Sequence, residues 1–263
     1  MNNPTNKSIQ IVRSIRIILH IISGLLQSAI YPHISQPSQK RMAKNWSIKL
    51  LTILSIRIHF RGAPPVKCNQ PIMLVANHIS WLDIYALMTI CPSRFVAKAE
   101  IRSWPLFGWL SKNVGTLFIE RKKISDIMRI NQDISHVLNS GEYVTIFPEG
   151  TTSNGITVKK FHSSLLQSAV NINAKIYPVA IRYYDTFGEI SKEAVYDGIS
   201  LLESIKTIIK QPWINVELIF SNPISNLKNR HELARASQKI ITSALSPQTS
   251  WHKVSEKSPD PPT

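Results

Sequence analysis

Cysteine is nearly missing: the 263-residue chain carries two, Cys68 and Cys91. They lie at no redox or metal-ligand spacing, which speaks against a disulfide framework and fits a reducing compartment. Acidic residues are also scarce, 16 against 31 basic ones, for a formal charge of +15. That excess calls for an anionic partner: nucleic acid, anionic lipid or an acidic carrier. Nucleic acid fits poorly, because the aromatics form no stacking platform and neither a zinc spacing nor a helix-turn-helix signature occurs. The eight histidines are scattered, with no His-x3-His pair, so no metal site is expected. There is no Gly-x-Ser-x-Gly elbow to supply a serine nucleophile. Internal repeats and low-complexity linkers are absent as well. What remains is a chain with 43% hydrophobic residues, enough for a sizeable core.

The N-terminus is apolar from Ile17 to Tyr31 but includes His20 and Gln27. The run is shorter than the roughly 20 residues of a spanning helix. Arg13 and Arg16 precede it as in a signal peptide, yet Ser28-Ala29-Ile30 matches a cleavage site poorly. Gln39 to Leu54 mixes Lys40, Arg41, Lys44 and Lys49 with Met42, Trp46, Leu50 and Leu54. It reads as a basic helix in a membrane interface, with Trp46 at the headgroups.

Downstream, strands and helices alternate. Strands are expected at 54–60, 72–76, 94–97, 116–119, 143–147, 175–182 and 214–220. Helices are expected from Ser80, with Ser80-x-x-Asp83 as a capping box, and at 104–111, 125–139, 163–172, 201–210 and 230–245, the third capped by Ser125 or Asp126. This order predicts an α/β fold: one domain with a largely parallel or mixed central sheet flanked by helices. The division expected is a membrane-associating helical segment at 1–53, the α/β domain at 54–246 and a disordered tail at 247–263.

Ligands of such sheets bind beyond the carboxyl ends of the strands. Asn77-His78, Glu120-Arg121 and Pro148-Glu149-Gly150-Thr151 each follow a strand. His78 and Asp83 are five apart across a loop-to-helix junction, so a carboxylate can orient the imidazole as a general base. A substrate hydroxyl can then be the nucleophile. The bland alternative is a capping Asp83 beside a loop His78. The turn after Phe147-Pro148 presents backbone N–H groups that could hold a phosphate or an oxyanion. Glu149 could bond an acceptor hydroxyl or orient its neighbours. Arg121 has the fork geometry of a phosphate ligand.

Together these blocks resemble the glycerolipid acyltransferase family. Asn77-His78-Ile79-Ser80-Trp81-Leu82-Asp83 is similar to its N-H-x4-D block, and Gly115-Thr116-Leu117-Phe118-Ile119-Glu120-Arg121 to G-x-x-F-I-x-R. Phe147 to Ser153 resembles F-P-E-G-T-R-S, and Ile176-Tyr177-Pro178-Val179 a late proline-bearing strand. Lys98-Ala99-Glu100 ahead of Trp104-Pro105 resembles a K-x-E segment. The resemblance implies catalysis by His78 oriented by Asp83. It implies acceptor binding by Asn77, Lys98, Gly115, Arg121, Glu149, Gly150, Thr151 and Thr152. It further implies an apolar acyl tunnel, no bound cofactor, and acyl-CoA or acyl carrier protein as donor. The acceptor would be a membrane lysolipid, in the first place 1-acyl-sn-glycerol-3-phosphate, with lyso-ornithine lipid or another lysophospholipid as the alternative, met at the cytoplasmic, anionic membrane face (the inner membrane in a bacterium). Thr152 stands where the family block has Arg, which points towards another head group such as lyso-ornithine lipid, with Lys159 or Lys160 as substitute cations. Competing functions are a thioesterase or lipid hydrolase in which His78 activates water, a basic membrane- or nucleic-acid-binding protein, and an inactive scaffold.

Overall fold

The computed structural model describes residues 4–66, 70–105, 107–120, 123–225 and 228–246. Cys68, Arg121 and the tail 247–263 lie outside them.

Seven strands form one sheet: β1 (Ile56–Arg61), β2 (Ile72–Ala76), β3 (Ser93–Lys98), β4 (Leu117–Ile119), β5 (Tyr143–Ile146), β6 (Lys175–Tyr184) and β7 (Ile214–Phe220). Their order is β1-β7-β6-β2-β5-β3-β4. All neighbours are parallel except β6 and β7, so the sheet is mixed. β2 is buried along its whole length, as expected of an unbroken apolar run covered on both faces. Eight α-helices accompany the sheet among the described residues: α1 (Lys7–Ile30), α2 (Gln36–Ile53), α3 (Leu82–Ile90), α4 (Phe107–Asn113), α5 (Ile124–Asn139), α6 (Gln167–Asn171), α7 (Leu201–Ile209) and α8 (Arg230–Ala244). One core layer joins α2, α3 and α7 to the sheet through Leu51, Leu74, Leu82, Ile181, Ile208 and Val216. The other joins α5 and α8 through Val75, Ile130, Ile134, Ile146 and Ile241. Cys91 is buried in the first layer, and burial pushes its thiol up to about 12, which leaves it a core side chain.

Three expectations are corrected. First, the N-terminal helix does not start after its arginines. It spans 24 residues from Lys7 and is long and apolar enough to cross a membrane. Arg13 lies inside the helix and not in a flank before it. Its guanidinium donates to the carbonyls of Ile209, Gln211 and Pro212 and to Ser55 Oγ. The three carbonyls lie at and beyond the end of α7, where helix carbonyls lack partners. Second, Trp46 is not presented as a headgroup residue. Its indole stacks on His20, with centroids 4.4 Å apart, and donates to the His20 carbonyl at 3.3 Å. Third, two caps differ. Helix α3 begins at Leu82 without a side-chain cap, and the buried Ser80 Oγ has no hydrogen-bond partner among the described residues. Likewise α5 begins after Lys123 without a side-chain cap, and Asp126 instead accepts from the Glu120 N–H at 2.6 Å.

Gly24 makes the α1–α2 contact possible, because a Cβ there would stand 2.7 Å from Trp46 Nε1. Gly24→Val is therefore expected to cost about 1–3 kcal/mol by overpacking, read as a lower urea midpoint with unchanged slope. A midpoint equal to wild type would show that the helices separate at no cost.

Candidate active site

The site lies beyond the carboxyl ends of β2 and β5, which are parallel neighbours in register from Met73 with Val144. Their following loops, 77–81 and 147–153, thereby emerge side by side. β6 lies on the other side of β2 and runs past its end: Ala76 pairs with Val179, and β6 continues to Tyr184. Asn77 fills the step where β2 stops. Its side-chain amide donates to the Ile181 carbonyl at 3.0 Å and accepts from the Ile181 N–H at 2.7 Å.

That clamp sets the turn carrying His78. The ring Nδ1 lies 2.8 Å from Asp83 Oδ2, and the same oxygen accepts the N–H groups of Ile79 at 2.7 Å and Ser80 at 3.0 Å. Asp83 Oδ1 accepts from the Tyr183 hydroxyl at 2.7 Å. Asp83 is wholly buried, so each of these donors stabilises its charge in place of water. A carboxylate can only accept, so the proton between the two groups belongs to Nδ1 and the free lone pair to Nε2. The imidazole also stacks on Phe147, with centroids 4.1 Å apart and planes 13° from parallel.

The second loop is stitched to the first. Glu149 Oε1 accepts the His78 N–H at 2.7 Å, and Oε2 accepts the Lys159 N–H at 2.8 Å. The Ser153 N–H returns a bond to the His78 carbonyl at 2.7 Å. Burial raises the Glu149 pKa above the usual carboxylate value, against the lowering effect of these two N–H donors. A third segment closes over both. The Tyr196 N–H donates to the Ile79 carbonyl at 3.0 Å, and Thr152 Oγ1 donates to the Tyr196 carbonyl.

His78 opens onto a cavity of about 660 Å³ walled mainly by apolar side chains of α1, α2, α3 and the 94–116 segment. Lys98, Gly150, Thr151 and Thr152 lie on its wall. The other candidates lie elsewhere. Asn77 and Glu149 are buried and spend their side chains on the bonds above. Gly115, at φ +79°, makes room for a neighbour: a Cβ there would stand 2.3 Å from the Arg94 guanidinium, which Glu142 holds at 2.8 and 2.9 Å. Arg121 lies outside the described residues. Lys159 Nζ donates to the Thr152 carbonyl at 2.6 Å. Phe147, Tyr183 and Tyr196 were not singled out by sequence. Phe147 heads a quoted block and could have been; Tyr183 lies 100 positions from its partner and carries no local signal.

Glu149→Ala strands the N–H groups of His78 and Lys159. It is expected to lower stability by about 1–3 kcal/mol and turnover by about tenfold or more, because the His78 backbone loses its tether. Turnover equal to wild type, measured below the melting temperature, would show that the tether does not hold the imidazole.

The family described as Acyltransferase matches residues 57–182. A lyso-ornithine lipid O-acyltransferase of Pseudomonas aeruginosa is 37% identical over 211 residues, 80% of each chain. A 1-acyl-sn-glycerol-3-phosphate acyltransferase of Neisseria gonorrhoeae is also 37% identical, over 60% of this chain and 62% of that one. Among solved structures, the 1-acyl-sn-glycerophosphate acyltransferase of Thermotoga maritima superposes with a TM-score of 0.62 at 18% identity, covering 89% of this chain and 96% of that one.

Proposed function

The chain belongs to the glycerolipid acyltransferase family, and from that premise we propose that it moves a fatty acyl group from a thioester onto a lysolipid hydroxyl with His78 as general base. The observation that carries this reading is the His78–Asp83 pair at 2.8 Å facing a largely apolar cavity. Nε2 of His78 takes the proton of the acceptor hydroxyl. The alkoxide-like oxygen attacks the thioester carbonyl carbon and forms a tetrahedral intermediate. Collapse of that intermediate breaks the C–S bond, and the departing sulfur takes the proton from the imidazolium. The products are an acylated lipid and a free thiol. The Gly150 N–H is already bound to the Phe147 carbonyl at 3.1 Å, so the Thr151 and Thr152 N–H groups are the turn's candidates for holding the oxyanion. Asp83 fixes the tautomer, Glu149 and Asn77 hold the two loops in place, and the acyl chain lies in the apolar cavity. The donor is acyl-CoA or acyl carrier protein, either of which a basic rim would attract.

Lyso-ornithine lipid is the acceptor favoured over 1-acyl-sn-glycerol-3-phosphate. A phosphate monoester needs cations, and the described wall offers two, Lys98 and Arg94, the second already paired with Glu142. Thr152 brings none. The longer match to the lyso-ornithine lipid enzyme points the same way. The test is a competition assay of both acceptors against one acyl-CoA. A wide preference for 1-acyl-sn-glycerol-3-phosphate would reject the head-group assignment and leave the acyltransferase assignment intact.

Association with a membrane follows from an apolar helix in a chain whose relatives act on lipids. We place the contact on the outer face of α1, towards the cytoplasmic leaflet, with residues 1–53 as the membrane-associating part of the molecule.

A further inference from the structure

We infer that Tyr183 is a positioning residue for the reaction, acting through Asp83 to aim His78. The inference rests on the general-base reading above and adds to it a residue on a distant strand. Asp83 has one oxygen shared among three donors, the His78 ring and the Ile79 and Ser80 N–H groups. Its other oxygen has the Tyr183 hydroxyl, at 2.7 Å. Without that bond the carboxylate could rotate about its Cβ–Cγ axis, because the three remaining donors all meet one oxygen. With it, both oxygens are pinned and Oδ2 is held against Nδ1.

The fold places Tyr183 for this task. Val179, Ile181 and Tyr183 share the β6 face that packs into the layer with Ile79 and Leu82. β6 overhangs the end of β2 by the residues after Val179, and the loop bearing His78 folds over that overhang. Tyr183 is 1% exposed, so its hydroxyl cannot exchange Asp83 for water. Burial and the neighbouring Asp83 hold its pKa well above that of a free phenol, which keeps it a donor at every working pH. A core tyrosine of no catalytic importance would also seek an acceptor; here the acceptor is the carboxylate that orients the base.

The test compares Tyr183→Phe, Asp83→Asn and the double variant in the full chain, with palmitoyl-CoA as donor and lyso-ornithine lipid and 1-acyl-sn-glycerol-3-phosphate as acceptors. Tyr183→Phe is expected to lower kcat about tenfold, with acceptor KM within about twofold of wild type, a misaimed base rather than a damaged binding site. In the Asp83→Asn background the same substitution is expected to change kcat less than about twofold, since the group it acts through is gone. Thermal melts accompany each variant. An unchanged kcat in Tyr183→Phe, or an equal further loss in the double variant, would overturn the inference. His78→Ala is assayed beside them: activity surviving there would reject the general-base reading itself, a result distinct from either outcome at Tyr183.

Discussion

His78→Ala is expected to lose acyl transfer by about 10²-fold or more while binding vesicles as wild type does. General-base catalysis contributes typically 10²–10⁴-fold, and the lower bound applies if water replaces the ring and relays the proton. The substitution deletes a side chain that is 19% exposed and faces the cavity, so its structural cost is small. Its main structural consequence is local: Asp83 Oδ2 keeps two N–H donors, and Phe147 loses its stacking partner. The melting temperature is therefore expected to shift by only a few degrees. The measurement is release of free thiol from acyl-CoA, with and without lysolipid, beside co-sedimentation with vesicles. Thiol release without lysolipid at the full rate would make the enzyme a thioesterase, with water in place of the hydroxyl. Transfer retained within threefold would remove His78 from the chemistry.

The pairing of His78 with Asp83 is legible in the sequence because it is local: five residues across a loop and the first turn of a helix bring the two groups together. The same locality misled the account of the helix start. Ser80 and Asp83 have capping-box spacing, and half of the box forms: the carboxylate accepts the Ser80 N–H, but the Asp83 N–H goes to the Ser80 carbonyl at 3.1 Å and Ser80 Oγ takes no part. Alternation at 54–60 and 214–220 and short apolar runs such as 72–76 and 143–147 helped locate the seven strands, and the clusters at strand ends pointed to one edge of the sheet. Strand order is a long-range property with no local signature. The antiparallel turn of β7 against β6, and the β6 overhang that supplies Tyr183, were therefore not legible. Nor does spacing say which residues of a block line the cavity. Asn77, Gly115 and Glu149 sit in the quoted blocks beside Gly150 and Thr151, yet their surroundings are backbone amides and the Arg94 guanidinium rather than the cavity. A block of sequence records that a residue type is needed at a position, not which atom it touches.

Replacing Ile15, Ile18 and Ile22 together by Ser is expected to weaken binding to anionic vesicles by about 10³-fold and leave the fold intact. The reason is the inverted face of α1. Its inward side carries Arg13, Ile17, His20, Gly24 and Ser28, while Ile11, Ile15, Ile18, Leu19, Ile22, Leu26 and Ile30 are all about half exposed or more. A helix that turns polar and small residues inward and isoleucines outward is arranged for an apolar surrounding. Periodicity announces two faces; it does not say which one the domain keeps. Each buried isoleucine is worth about 1.5 kcal/mol or more, so three supply roughly 4–5 kcal/mol, about a thousandfold in partitioning. None of the three lines the cavity, whose α1 wall includes Ile17 and Ile21, so turnover of a detergent-dispersed acceptor should stay within about twofold of wild type. Arg13 bears on the orientation expected. It donates to three carbonyls and one hydroxyl of the domain, and a helix leaving that dock to cross the bilayer would forfeit them and carry a guanidinium towards hydrocarbon. On that argument we expect the helix to lie along the interface, its isoleucines in one leaflet and the cavity within reach of lipid. Vesicle binding of the triple variant equal to wild type would place the membrane contact elsewhere on the molecule, and labelling of a cysteine introduced at position 11 by a reagent confined to the far side would argue for a span.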